Sequence, residues 1–239
     1  MSLFSSLRRE QREAIGLLQI GTFLEYFDLM LYVHMAVLLN DLFFHKTDPH
    51  TTTLLSAFTF CSVFVFRPFG ALLFGYLGDH IGRKATVVIT TMMMAASCIV
   101  IANLPTYAQI GMTAAWIMIF CRVLQGLSSM GEVIGAQIYI TEIIKPPAQY
   151  PAMGFLVCAN VFGSLMALAV ASLATTSGLN WRLAFWVGTG IALVGSVART
   201  RLRETPDFVD MKRRMKKAIE ESSRDGLEKA SELLKSTNI

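Results

Sequence analysis

Glu25, Asp28 and Tyr32 stand at i, i+3 and i+7, and Arg122, Gln125, Ser129 and Glu132 at i, i+3, i+7 and i+10. On α-helices each set shares one face. Both sets sit inside runs that are otherwise apolar. A carboxylate beside an arginine stays ionised, and one that loses its partner when its surroundings rearrange can take up a proton. Two such stripes facing each other across a water-filled cavity are equipment for moving protons together with a polar solute. Ionisable groups in membrane-length helices cost about 2.5–3.5 kcal/mol each on insertion scales, which makes every one of them a functional candidate. The plainer use of Arg122 and of Glu132 is as one member of a buried arginine–carboxylate pair that fastens two helices. Arg67, followed by Pro68, has its own plain use, satisfying carbonyls freed by a proline break.

The elements that carry these residues follow from composition. Hydrophobic residues make up 54% of the chain and charged ones 16%, against about 25% charged in an ordinary soluble domain. No charge falls within residues 85–109 or 153–180, and charge is dense after residue 200. A bilayer core of roughly 30 Å needs about 20 apolar residues in helix. Six runs supply that length: 14–39, 52–78, 85–104, 110–140, 153–174 and 181–198. Stop signals separate them, at Asp48-Pro49, Asn103 to Pro105, Pro146-Pro147 and Ser177-Gly178. The expected fold is an all-α integral membrane bundle of six transmembrane helices. Residues 1–13 form a cytoplasmic N-terminus, 14–203 the bundle and 204–239 a charged cytoplasmic linker.

Most of the 21 lysines and arginines, including Arg8, Arg9, Arg12, Arg83, Lys84, Lys145, Arg199, Arg201 and Arg203, fall on the side shared by the two ends, whereas Lys46 stands on the other. The positive-inside rule then makes both termini cytoplasmic, in a cell inner membrane. Trp181 and Trp186 belong near the outer interface. The positive charge is therefore read as loop charge, with no nucleic-acid partner. Arg8, Arg9 and Arg12 before an apolar run also fit the start of a signal peptide, but the run is too long, carries Glu25 and Asp28, and lacks a nearby Ala-x-Ala site. Cys61, Cys98, Cys121 and Cys158 sit singly in different spans as packing residues, and His34, His45, His50 and His80 form no ligand cluster. No metal, no cofactor and no enzyme activity is expected, since no nucleophile–base pair is visible.

Glycines mark close helix contacts: Gly131 with Gly135, Gly75 with Gly78 and Gly82, and Ala159 with Gly163. Between the second and third runs lies the turn GYLGDHIGRK at 75–84, in which Asp79 suits the cap of the next helix while Arg83 and Lys84 stay in water. Further motifs follow in order: GTFLEYFDLMLY at 21–32, RPFG at 67–70, RVLQG at 122–126 with Gly131, Glu132, Gly135 and Glu142, Trp181-Arg182, and RETPDF at 203–208. Together these resemble the major facilitator superfamily of secondary transporters, and within it the metabolite:proton symporter branch, from residue 13 to 208. The resemblance implies the N-terminal six-helix bundle of a major facilitator fold. It implies symport of a small zwitterion or organic acid with protons, with Glu25, Asp28, Tyr32, Arg122, Gln125 and Glu132 in coupling. It also implies a cytoplasmic gate at Gly75, Gly78, Asp79, Gly82, Arg83 and Lys84.

Members of that superfamily have two six-helix halves, and 239 residues hold one. The expected partners are therefore the lipid bilayer, a small-molecule substrate, protons, and a second six-helix half or a second copy. A transport-inactive remnant and a membrane scaffold or channel are the alternatives. The stripes on the first and fourth runs are expected to form a face that closes against the second half and that, left alone, would present charge to lipid. Residues 209–219 read as a basic amphipathic helix suited to an anionic leaflet, and Ser222-Ser223 with Asp225-Gly226 as a break before a second helical stretch at 227–234.

Overall fold

Uncharged apolar runs bounded by glycine, proline and charge fold as helices, because in hydrocarbon every backbone N–H and C=O must find its partner within the segment. The computed structural model describes residues 7–44, 49–176 and 180–237. Its helices are α1 (Arg9–Phe43), α2 (Pro49–Ile81), α3 (Arg83–Asn103), α4 (Tyr107–Ile110), α5 (Met112–Ile143), α6 (Gln149–Thr176), α7 (Arg182–Arg199) and α8 (Pro206–Thr237). Five of them, α1, α2, α3, α5 and α6, are long and apolar enough to cross a membrane, and α7 contributes a shorter apolar helix, Arg182–Val197. The six expected spans thus appear as five full-length helices and a short sixth. The expected turns at Asp48 and at Ser177-Gly178, with His45 and Lys46, lie outside the described residues.

Local chemistry sets the boundaries. Pro105 ends α3, and Thr106 opens the short α4 with a capping box in which the Gln109 side chain accepts the Thr106 N–H. Gly111, at φ +63°, then turns the chain into α5, a left-handed conformation that suits glycine. Gly82, at φ +109°, makes the turn from α2 to α3, and a Cβ there would run into the Glu204 carboxylate. It also occupies the N-cap of α3 with no side-chain cap, so Asp79 does not fill the capping role expected of it. Two expected breaks are absent. Pro68 sits inside an uninterrupted α2, and α8 continues through Ser222-Ser223 and Asp225-Gly226.

In the bundle α1 packs along α6, α2 along α5, and α3 between α5 and α7. Two apolar cores occupy its ends. One, around Phe27, Leu31, Met35, Phe43, Met118 and Phe185, lies away from the N-terminal end. There Trp181 is buried edge-to-face against Phe43 and Phe185, not spread on an interface as expected, while Trp186 is exposed. The other core, around Leu18, Val87, Tyr139, Ile140 and Leu156, lies at the end that carries the N-terminus. Between them runs a layer of buried polar groups: Glu25, Asp28, Thr90, Thr91, Arg122, Gln125, Ser129, Glu132 and Arg199. Outside, α2, α6 and α7 expose Phe64, Leu72, Phe162, Leu165 and Val194. Charge inside and hydrocarbon outside is the arrangement a bilayer solvent demands.

Glycine decides how closely the helices approach. A Cβ on Gly163 of α6 would collide with the Phe23 carbonyl of α1, and one on Gly126 of α5 would stand 2.7 Å from the Val63 carbonyl of α2. Gly131 and Gly135 press against Phe74, Thr90 and Val87. Gly75 meets nothing within 4 Å, so its expected packing role is not realised.

Candidate functional site

Helices α1 and α5 run antiparallel, and their polar stripes meet rung by rung. At the first rung Arg122 Nη1 stands 3.5 Å from Asp28 Oδ2, and the guanidinium lies over the Tyr32 ring, 3.9 Å from its centroid. Arg122 Nη1 also donates to Gln125 Oε1 at 2.7 Å. On the far side of the carboxylate Cys98 Sγ donates to Asp28 Oδ1 at 3.3 Å. Cys98 therefore does more than pack: it is a polar partner from α3. All of these groups are buried.

At the second rung, nearer the N-terminal end, Glu25 Oε1 accepts from Arg67 Nη2 of α2 at 2.5 Å. Arg67 is thus the charge partner of Glu25, and not a plug for the carbonyls around Pro68. Its guanidinium carbon also sits 5.4 Å from the Phe64 ring centroid. Ser129 of α5 stands beside the Glu25 carboxyl. Glu25 Oε2 and Ser129 Oγ are both buried with no hydrogen-bond partner.

At the third rung Glu132 is out of reach of Arg122. Ten residues of helix set those two about 15 Å apart along the axis. Glu132 instead pairs with Arg199 of α7, and its Oε2 accepts from Thr91 at 2.7 Å and Thr90 at 3.2 Å, both from α3. Arg199 also donates to the Leu18 carbonyl at 3.0 Å and the Leu17 carbonyl at 3.2 Å. Expected among the cytoplasmic loop charges, Arg199 is fully buried. Gly21 makes room for it, since a Cβ there would collide with both Arg199 and Glu132.

Glu25, Asp28, Arg122 and Glu132 are each 1–3% exposed. The expected charged outer face is therefore absent, because α2, α3 and α7 close over the stripes and supply Arg67, Cys98, the threonines and Arg199. Removing one partner of such a pair leaves an uncompensated buried charge, which costs about 3–5 kcal/mol.

The turn at 75–84 forms a second constellation. Arg83 is not free in water: its Nη2 lies 2.7 Å from Asp79 Oδ1 and its Nε 3.2 Å from Glu142 Oε1 of α5. The Lys84 backbone N–H donates to Glu204 Oε1 at 3.2 Å, and the Lys84 side chain is partly buried. A Cβ on Gly78 would stand 2.6 Å from Arg83 Nη1. Tyr139 donates to the Arg203 carbonyl at 2.5 Å. One arginine thus ties α2, α3 and α5 together while Glu204 ties in the segment leading to α8. Close by, a cavity of about 880 Å³ opens between the start of α1, the end of α5 and residues 201–206, with Glu13, Leu17, Tyr139 and Arg203 in its wall.

Of the partners that complete the site, Arg67 and Arg199 were visible in the sequence as arginines in or at the end of apolar runs. Thr90 and Thr91 carried no such signal, since hydroxyls are common in membrane helices.

A family model described as "Sugar (and other) transporter" matches residues 17–237. The chain is 31% identical over 223 residues to the proline/betaine transporter of Salmonella typhimurium, covering 90% of this chain and 44% of that protein. It is 32% identical over 224 residues to the glycine betaine/proline/ectoine/pipecolic acid transporter OusA of Dickeya dadantii, again 90% and 44%. It is 36% identical over 206 residues to a putative metabolite transport protein of Haemophilus influenzae, covering 83% and 47%. The chain spans about half the length of the curated relatives it matches. Among solved structures, the major facilitator superfamily proton:xylose symporter XylE superposes with a TM-score of 0.75 at 18% identity, over 84% of this chain and 46% of that one. At that identity the likeness speaks for the fold.

Proposed function

We propose, from the premise that this chain belongs to the sugar (and other) transporter family of the major facilitator superfamily, that it is the N-terminal six-helix half of a proton-coupled symporter for a small zwitterionic or organic-acid metabolite. The observation that carries this reading is the first two rungs, where Asp28 and Glu25 are buried, each against an arginine from another helix. The arginine beside each carboxylate favours its ionised form while the two are paired. A movement that draws Arg122 or Arg67 away leaves it able to take a proton. Arginine and carboxylate side by side also offer complementary charge to the carboxylate and ammonium of a zwitterion. Relatives whose names include proline and betaine support that substrate class.

In this reading residues 14–203 are the bundle, 204–239 a cytoplasmic linker, and both termini face the cytoplasm of a cell inner membrane. The ties of Arg83 to Asp79 and Glu142 form the cytoplasmic gate, with Gly82 supplying its turn. The partner is a second six-helix half or a second copy of the chain.

The test is accumulation of labelled glycine betaine or proline in proteoliposomes, with and without a separately supplied second half, under an imposed proton gradient. Gradient-dependent uptake that Asp28→Asn abolishes, with protein level unchanged, is the expected result. Uptake indifferent to the gradient would overturn the coupling, and full activity of a lone monomer would overturn the half-carrier arrangement.

A further inference from the structure

Below the two rungs assigned to coupling, the third has a construction suited to two protonation states. Each threonine hydroxyl holds one proton and has in reach both the Glu132 carboxylate and a carbonyl of its own helix. Thr91 Oγ1 lies 2.7 Å from Glu132 Oε2 and 2.8 Å from the Val87 carbonyl. Thr90 Oγ1 lies 3.2 Å from Glu132 Oε2 and 3.1 Å from the Thr86 and Val87 carbonyls. Against an ionised Glu132 the hydroxyls donate to the carboxylate. Against a protonated Glu132 they turn to their own helix's carbonyls and a hydroxyl oxygen accepts the acid proton. Arg199 keeps hydrogen-bond partners in both cases: its Nε and Nη2 donate to the Leu17 and Leu18 carbonyls, and its Nη1 donates to Thr91 Oγ1 as well as to Glu132.

The surroundings connect this site to the rung above. The charged group facing Glu132 is Arg199 from α7, while α3 presents Thr90 and Thr91, and α2 presents Phe74 beside Gly131. From α1 comes Gly21, with Glu25 one turn further along, and Arg67 of α2 reaches Glu25. Ser129, whose hydroxyl is buried and unpartnered, stands beside Glu25 and one turn from Glu132. On the other side Leu17, whose carbonyl receives Arg199, lines the cavity of about 880 Å³ at the end of the bundle that carries the N-terminus.

We infer that Glu132, with Arg199, Thr90 and Thr91, is a second protonation site in series with Glu25 and Asp28, and that it carries the proton from the coupling rungs toward that cavity. This rests on the proton-coupling reading above. In the transfer a protonated Glu25 gives its proton to the Ser129 hydroxyl as that hydroxyl releases its own toward Glu132. Glu25 is left as a carboxylate facing Arg67, and Glu132 as a neutral acid held by the threonines. Charge and protons balance within Glu25, Ser129 and Glu132.

Infrared difference spectroscopy of the chain in proteoliposomes, during a pH jump, reads protonated carboxyl C=O bands directly and needs no substrate. Wild-type protein should show a band that Glu132→Gln removes while the bands assigned through Asp28→Asn and Glu25→Gln persist. If Glu132→Gln leaves the spectrum unchanged, Glu132 is a permanent ion pair and the inference is overturned. Thr91→Val, which keeps Glu132, gives an independent reading should the glutamine variant fail to fold. The Glu132 band should rise in frequency as the acid loses a hydrogen-bond partner, and an unmoved spectrum counts against the site. Absence of the Asp28 and Glu25 bands alone would strike the coupling reading and leave the Glu132 band to be judged separately.

Discussion

The Arg122 guanidinium lies over the face of the Tyr32 ring, 3.9 Å from its centroid, so the arginine that faces Asp28 is also held by an aromatic one turn along α1. Such a contact contributes about 0.5–2 kcal/mol, more when water is excluded. Tyr32→Phe keeps the ring and should unfold in detergent close to wild type, with gradient-driven uptake retained. Tyr32→Leu removes the ring face and should lower stability by about 1 kcal/mol and weaken uptake. Identical behaviour of the two variants would remove the ring from the site.

Arg67 gives a second expectation. Its bond to Glu25 is short and Glu25 is buried while Arg67 is half-buried, so Arg67→Ala strands a buried carboxylate and should destabilise the bundle by about 3 kcal/mol in a denaturant titration. Adding Glu25→Leu to Arg67→Ala should recover much of that loss, because both charges are then gone. A double variant as unstable as Arg67→Ala alone would mean that the two side chains are not energetically coupled.

The ties of Arg83, proposed above as a gate, are of a different kind. Asp79 is 61% exposed, so its bond to Arg83 is screened, and Asp79→Asn should change stability by no more than about 1 kcal/mol. Its effect is expected on the rate of exchange between inward- and outward-facing states in the assembled carrier, together with that of Glu142→Gln. Accessibility of introduced cysteines to a membrane-impermeant reagent follows that rate. Rates equal to wild type in both variants would leave Arg83 a purely structural clamp.

At Gly163 the backbones of α6 and α1 approach too closely for any Cβ. Gly163→Val should force them apart and lower stability by about 1–3 kcal/mol. Gly190→Ala, at a position where a Cβ meets nothing within 4 Å, should be close to neutral and serves as the control. Equal melting temperatures for the two variants would contradict the α1–α6 packing.

A reporter joined after Ile239 should be active on the cytoplasmic side, and one inserted at residues 46–51 on the outside, as the basic residues divide. A C-terminal reporter found outside would refute the even number of crossings.

Much of this was legible along the chain. Membrane-length runs without charge, punctuated by proline and glycine, had to become helices, since hydrocarbon offers the backbone no other partner. The spacing of Glu25, Asp28 and Tyr32, and of Arg122, Gln125, Ser129 and Glu132, had to put each set on one helical face. What spacing along one helix does not contain is the identity of the group opposite. Only the antiparallel register of α1 on α5 set Asp28 against Arg122, while the ten residues between Arg122 and Glu132 already held those two about three turns apart on one helix. Only the docking of α7 and α2 turned Arg199 and Arg67 inward, where a loop charge and a proline neighbour had been expected. A buried charge must be met by whichever helix arrives beside it, and that choice belongs to the packing of the whole bundle.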